Sequence, residues 1–237
     1  MSAAARRVAA IARRDLTATF VSPFGVGCAA GFAALSGVIL VVTLRAGEAR
    51  LDQWFAVLFV ALGLLAALLS TRAFADEERT GSLELLLTAP VSAGQVVAGK
   101  VIAAAGVVVL AVAATLACPW LVASMGDPDA GPIVTGYAGM VLAGISFAAV
   151  GVAVSAATGN PLVSAGASLA VLAGLWLCGV VAGGLHGVVQ QVLRYVSPAS
   201  HVTGFLRGTL STSDVAYFVS LAVVAAVVAR GVVKARR

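Results

Sequence analysis

The chain has 237 residues, of which 61% are hydrophobic and only 11% are charged, and its mean hydropathy is +1.06. Soluble domains carry about 25% charged residues, so this composition excludes an ordinary soluble protein and indicates an integral membrane protein. The formal net charge of +5 comes without a basic stripe interleaved with aromatic residues, which argues against nucleic-acid binding. The three cysteines lie singly in apolar runs, so the sequence predicts neither a disulfide framework nor a zinc site.

Charged residues divide the chain into uncharged gaps, and these gaps are the candidate membrane spans. An ionised side chain at the bilayer centre costs about 2.5–3.5 kcal/mol, and one helical crossing takes about 20 residues. The gap at 130–193 is too long for one crossing, and "TGNP" at 158–161 supplies the turn that divides it. We predict an all-α integral membrane protein, a single domain over 1–237, with six transmembrane helices near 24–44, 54–71, 101–125, 138–157, 162–184 and 214–233.

The distribution of Lys and Arg predicts which side of the membrane each loop faces. With the N-terminus inside, eleven of these residues lie on the inner side and four on the outer side. Such an excess marks the cytoplasmic side, so both termini are predicted to be cytoplasmic. No cleavable signal is predicted, because the first apolar run is followed by a charged loop and further apolar runs.

The stretch "GQVVAGKV" at 94–101 resembles the opening of a phosphate-binding P-loop, G-x-x-x-x-G-K-[ST]. A P-loop follows a buried strand and places Ser or Thr after the Lys to hold Mg²⁺. Here Val101 follows Lys100, and a membrane span comes next. The sequence therefore predicts no nucleotide site in this chain, and Lys100 as a snorkelling anchor at the start of the third span.

The N-terminal residues 5–20 have the periodicity of an amphipathic helix. Apolar side chains gather on one face and arginines on the other, and "SPF" at 22–24 then turns the chain into the first span. This pattern predicts a helix that lies on the inner leaflet. A disordered basic tail is the alternative interpretation.

The segment between the fifth and sixth spans also has helical periodicity. Apolar residues repeat at helical spacing from Leu185 to Val196, "SP" at 197–198 ends that pattern, and a second weak pattern follows. We predict two short re-entrant helices in the outer leaflet, over 185–210. His186 and His201 lie here without a carboxylate or cysteine at ligand spacing, so they are expected on the polar face and not on a metal.

The inner loop at 72–100 begins with three acidic residues and continues with a short helical pattern. Ser82 can cap a helix over "LELLLT", and Pro90 ends it. A compact helix held at the cytoplasmic face by two spans has the form of a docking surface. An ordinary solvated loop is the alternative.

Four segments carry a resemblance to a known family: "RRDLTATFVSPFGVGCAAGFAALSGVIL", "RAFADEERTGSLELLLTAPVSAGQVVAGK", "TGYAGMVLAGISFAAVGVAVSAATGNPLVSAG" and "YVSPASHVTGFLRGTLSTSDVAYFVSL". In sequence and order they are similar to the membrane permease of a type-2 (ABC-2) bacterial ABC transporter. The nearest branch is that of the gliding-motility permease GldF, with the NosY permeases more distant. The haem exporter permease CcmB shares the "GSLE-LLL" loop but is less similar around "SPF". One departure is Pro161 in "GNPL", where the GldF branch tends to have Gln after the Asn.

The resemblance implies a permease subunit of an ATP-driven transporter, an exporter of the bacterial cytoplasmic (inner) membrane. It implies pairing with a second permease copy or paralogue and with two copies of a separately encoded cytoplasmic ATPase, which binds ATP and Mg²⁺, and allows an accessory periplasmic or membrane subunit. No catalytic, cofactor-binding or metal-binding residue is expected in this chain. By analogy, residues 5–20 form the connecting helix at the membrane surface, and the ATPase docks on a coupling loop made of Asp76, Glu77, Glu78, Arg79, Gly81, Ser82, Leu83, Glu84, Leu85, Leu86, Leu87 and Thr88.

Two other classes of function are weighed against the permease. A secondary transporter driven by an ion gradient, or a channel, usually places ionisable groups within its spans, and the five uncharged gaps contain none apart from a histidine near one end. A membrane enzyme would need a carboxylate pair, a metal cluster or a nucleophile with its base, and the spans offer none. The apolar gaps favour a lipid-like or amphipathic cargo without identifying it.

Overall fold

The computed structural model describes residues 3–45, 51–79, 81, 91–126 and 129–236. Within these ranges the chain forms eleven α-helices and no strand. In chain order they are α1 (Ala3–Val21), α2 (Pro23–Arg45), α3 (Leu51–Ser70), α4 (Arg72–Arg79), α5 (Ala93–Ala114), α6 (Ala117–Met125), α7 (Ala130–Ala157), α8 (Pro161–Ala182), α9 (Val188–Val196), α10 (Pro198–Leu206) and α11 (Thr212–Ala235).

Six helical segments of the described chain are long and apolar enough to cross a membrane: Pro23–Arg45, Leu51–Glu78, Ala93–Met125, Ala130–Ala157, Pro161–Ala182 and Thr212–Ala235. The six predicted spans are therefore confirmed. The third and fourth begin earlier than predicted, at Ala93 and Ala130 instead of 101 and 138. Uncharged gaps mark the part of a helix that fits the hydrocarbon, whereas the helices themselves begin at their caps.

The caps that begin these two helices are polar side chains that accept backbone N–H groups. Ser92 and Gln95 form a capping box at the start of α5, in which each side chain accepts from the other residue's backbone N–H. The Asp129 carboxylate accepts from the backbone N–H of Gly131 at 3.0 Å at the start of α7. Both satisfy N–H groups that the first turn of a helix cannot pair internally.

The third span is interrupted where α5 ends and α6 begins. Pro119 has no N–H to donate to the carbonyl four residues earlier, that of Thr115, and its ring clashes with a continuous helix. The Thr115 carbonyl instead accepts from the backbone N–H of Cys118 at 2.9 Å. The Thr115 hydroxyl bonds Tyr137 Oη on α7 at 3.0 Å, so the break is fixed to the neighbouring helix.

Both turns predicted from Pro-containing motifs are confirmed. The first helix ends at Val21 and α2 begins at Pro23. At "TGNP", α7 ends at Ala157, and the Asn160 side chain accepts from the backbone N–H of Leu162 at 2.9 Å to cap α8, with Pro161 in its first turn. Proline suits this position because its missing N–H would be unpaired there in any case.

The core of the molecule lies around α7, which packs most extensively against α3, α5 and α11. Small residues let these backbones approach closely: a Cβ on Gly151 would lie 2.5 Å from the Cβ of Ser70, and one on Gly144 would lie 2.7 Å from Cγ1 of Val108. Outward faces of α2, α8 and α11 carry exposed valines and leucines. In a bilayer such faces contact lipid.

Candidate functional site

Both ends of the chain come together at one end of the bundle, with α4 and the start of α5. We call this the inner end, since it faces the cytoplasm in the predicted orientation. The α4 helix continues the second span after a break at Thr71. Ser155 of α7 bridges that break: its Oγ accepts from the backbone N–H of Phe74 at 3.1 Å and donates to the Thr71 carbonyl at 2.9 Å. The first turn of α4 is thus capped by a residue of the core helix.

Lys100 lies at the centre of the inner end. Its side chain is only 1% exposed, and its Nζ lies 2.8 Å from Glu77 Oε2 on α4 and 3.1 Å from Asp15 Oδ2 on α1. The ammonium also donates to the Ala73 carbonyl. The predicted snorkelling anchor is therefore wrong: α5 begins at Ala93, so Lys100 lies about two turns inside the helix, where α1 and α4 cover it.

Arg14 completes what we call the inner ion cluster, defined as Arg14, Asp15, Glu77 and Lys100. Its Nε lies 2.8 Å from Asp15 Oδ1, and its Nη2 donates to Glu77 Oε1. Burial opposes the charged guanidinium, but the contacts with Asp15 and Glu77 outweigh it and raise the pKa of Arg14. Two cations thus balance two carboxylates drawn from three helices.

The opposite side of α4 is held by the C-terminal helix. Glu78 Oε2 accepts from Arg236 Nη1 at 2.6 Å. The same carboxylate lies against the turn between α7 and α8, where a Cβ on Gly159 would be 2.7 Å from Glu78 Oε1. On the remaining face, Arg72 Nε lies 3.9 Å from Asp76 Oδ2, and its guanidinium lies 4.1 Å from the centre of the Phe24 ring.

The predicted coupling loop is only partly within the described residues. Asp76, Glu77 and Glu78 lie on α4, and Arg79 is its last residue. Gly81 has a φ of 71° and its N–H donates to the Glu78 carbonyl at 3.2 Å, which turns the chain away from α4. The predicted helix of the loop lies outside the described residues, with Ser82, Leu83, Glu84, Leu85, Leu86, Leu87 and Thr88.

The amphipathic N-terminal helix is confirmed, and α1 packs against α5 through small residues of that helix. A Cβ on Gly99 would lie 2.7 Å from Cγ2 of Ile11, and Gly106 likewise faces Leu16. The P-loop-like stretch therefore has a packing role: Gly99 receives α1 and the adjacent Lys100 binds its Asp15.

The two predicted short helices between the fifth and sixth spans are confirmed as α9 and α10. The expectation that His201 lies on a polar face is wrong, because its residue is only 6% exposed. Its Nδ1 bonds Asp214 Oδ1 at 2.8 Å, its Nε2 lies 2.9 Å from the Tyr195 carbonyl oxygen, and its ring stacks on Tyr217 with centroids 4.0 Å apart. The part of the chain that the structure describes holds no group of three His, Cys, Asp or Glu residues able to bind a metal.

The sequence matches a known protein family over most of its length. Residues 15–233 match the family described as ABC-2 family transporter protein. The chain belongs to the ABC-2 family. The match begins at Asp15 of the inner ion cluster, covers the first five spans and ends two residues before the end of the sixth. No curated protein matches the sequence. This ABC-2 protein is thus a multi-pass membrane permease subunit of an ABC transporter, a class of transport subunit that is generally non-catalytic and works with an ABC ATPase.

Proposed function

We propose that this ABC-2 permease forms the translocation path of an exporter in the bacterial cytoplasmic membrane, in the GldF-like branch of the family. Its single domain spans residues 1–237 and supplies no catalytic, cofactor-binding or metal-binding group. Two copies of a separately encoded ATPase hold ATP and Mg²⁺, and a second permease copy or paralogue completes the path. The proposed complex also has room for an accessory periplasmic or membrane subunit, which the family resemblance allows.

The main support for the proposal is the set of polar contacts that attach α4 to other helices of the bundle. Glu77 connects it to α1 and α5 through Arg14 and Lys100, Glu78 connects it to α11 through Arg236, and Ser155 connects its first turn to α7. A force applied to the chain that follows α4 therefore reaches four other helices. This arrangement suits a subunit whose conformation is changed by a partner that binds at its inner end.

Docking and tethering then belong to different parts of the proposed coupling loop. In this conformation Glu77 and Glu78 bind cations of the permease itself, so we assign them to tethering. By the family resemblance, the contacts with the ATPase belong to the following residues, Ser82 to Thr88. Glu84 is the only acidic residue among them, and a cationic groove of the ATPase is its expected partner.

Co-purification with the ATPase tests this division. Charge reversal of all three glutamates, Glu77→Lys, Glu78→Lys and Glu84→Lys, should abolish assembly, and Glu84→Lys alone should weaken assembly while the permease keeps its thermal stability. Glu48→Lys is the matched control, because it makes the same change in the loop predicted to face outward. Equal recovery of the ATPase with Glu84→Lys and Glu48→Lys would show that Glu84 is not part of the docking surface.

A second measurement separates the permease from a carrier or channel. The chain is reconstituted alone into vesicles, and cargo movement is followed under a proton or sodium gradient without ATP. The proposal expects no transport until the ATPase and ATP are added. Gradient-driven transport by the chain alone would identify a secondary transporter instead.

A further inference from the structure

A cavity of about 410 Å³ lies at the inner end, between α1, α3, α4 and α5, beside the corner where α1 turns into α2. This volume falls within the roughly 300–1,000 Å³ of small-molecule binding sites. Because α1 has the amphipathic pattern of a helix at the membrane surface, the cavity lies at the level where lipid headgroups meet the acyl chains.

The lining of the cavity changes from charged to apolar in one direction. Along α5 it passes from Lys100 to Ala103 and then Val107, and along α3 and α4 it passes from Asp76 and Arg72 to Leu69. These helices run in opposite directions, yet both gradients point the same way, with charge at the inner end and apolar groups deeper in the bundle. Seven residues at 1.5 Å each give the cavity a depth of roughly 10 Å. A ligand that fits it must be amphipathic.

The charged end of the cavity presents groups of both signs. The side chains of Arg14 and Arg72 are 57% and 48% exposed, and that of Asp76 is 36% exposed. Guanidinium groups bind phosphate through paired, charge-assisted hydrogen bonds. A carboxylate beside them favours a ligand that also carries a hydrogen-bonding cation. The Arg72 guanidinium lies 4.1 Å from the centre of the Phe24 ring, and this contact restrains the guanidinium beside the cavity.

We propose that the cavity binds one phosphatidylethanolamine molecule of the inner leaflet. The phosphate lies at the guanidinium groups of Arg72 and Arg14, the primary ammonium lies at the Asp76 carboxylate, and the upper part of an acyl chain lies along Leu69, Ala104 and Val107. The bound lipid joins the surface helix α1 to the spans beside it. The proposal of a bound lipid does not depend on the proposal of ATPase docking. A result that contradicts one of the two proposals does not contradict the other.

Native mass spectrometry of the chain purified in a mild detergent with mixed phospholipids tests the proposal. Two variants remove parts of the site: Arg72→Gln removes a phosphate ligand, and Ala18→Phe fills the cavity from the exposed face of α1. Arg13→Gln and Ala10→Phe are matched controls, since both positions are exposed on α1 and outside the lining. Wild type and controls should retain one phosphatidylethanolamine per chain. The two site variants should retain it roughly tenfold less, as expected for loss of a charge-assisted contact.

The choice of lipid is tested by thermal stability in the same detergent. Added phosphatidylethanolamine should raise the melting temperature more than phosphatidylglycerol, which lacks the ammonium, or phosphatidylcholine, whose quaternary ammonium cannot donate a hydrogen bond. Glycerophosphoethanolamine has the headgroup without acyl chains and should have no effect; stabilisation by it would assign the site to a soluble phosphate ester. Equal effects of the three lipids, or equal retention by Arg72→Gln and Arg13→Gln, would overturn the proposal.

Discussion

Lys100 joins three elements through one ammonium group. It balances Asp15 of α1 and Glu77 of α4 while itself only 1% exposed. Lys100→Met removes the buried ammonium from these two acids and, among the described residues, leaves Arg14 as the cation that contacts both. Breaking a buried ion pair by removing one partner costs about 3–5 kcal/mol. We expect the free energy of unfolding in mixed micelles to fall by about 3 kcal/mol, compared with almost no change in Lys234→Met, where the residue is exposed. The double variant Lys100→Met with Glu77→Gln should recover part of the loss, and a Lys100→Met protein as stable as Lys234→Met would contradict this role.

His201 fixes the outer pair of short helices to the last span. Asp214 accepts from its Nδ1 at 2.8 Å, and Tyr217 of the same helix stacks on its ring. Hydrogen bonds to charged groups contribute about 1.5–3 kcal/mol, so Asp214→Ala should destabilise the protein by about 2 kcal/mol. Unfolding in detergent checks this, with exposed Ser213→Ala as the control. Equal stability of the two variants would show that the His201–Asp214 hydrogen bond does not hold α10 to the last span.

Among the elements, α1 depends on the close approach that Gly99 permits. An added Cβ would lie 2.7 Å from Ile11, so Gly99→Ala should displace α1, although alanine favours a helix over glycine by about 1 kcal/mol. At Gly94 an added Cβ would be 3.7 Å from the Arg230 side chain, an ordinary contact. Limited trypsin digestion should therefore cleave α1 after Arg6, Arg7 or Arg13 faster in Gly99→Ala than in Gly94→Ala. Equal cleavage rates would show that the two glycines of the P-loop-like stretch are equivalent.

The elements also show what the sequence could and could not predict. The spans were predictable because charge is excluded from hydrocarbon, and the turns because Pro and Ser or Asn have specific positions at helix ends. The environments of Lys100 and His201 were not predictable. Asp15 precedes Lys100 by 85 residues, and Asp214 lies on the helix that follows the one holding His201. The packing of α1 against α5 brings Asp15 to Lys100, and the packing of α10 against α11 brings His201 to Asp214. A lone charge inside a helix-length apolar stretch was the available signal that Lys100 needs a partner.

At the scale of the whole molecule, the chain is a permease subunit, and we propose that a partner supplies its energy. The P-loop-like stretch is a helix that binds α1, and Lys100 is occupied by two carboxylates. We therefore expect the purified chain to hydrolyse no ATP, measured by phosphate release with the ATPase complex as the positive control. ATP turnover by the isolated chain, persisting after removal of contaminating ATPases, would contradict the account.

The central claim is that a separate ATPase acts on this permease through the loop that follows α4. Photo-crosslinking in the intact complex tests it most directly, with a photoreactive amino acid replacing Leu86 in that loop or, as the control, Glu48 in the loop predicted to face outward. The account predicts that the ATPase is captured from position 86 and not from position 48. Capture from position 48 alone, or from neither position in a complex that still co-purifies with its ATPase, would contradict it.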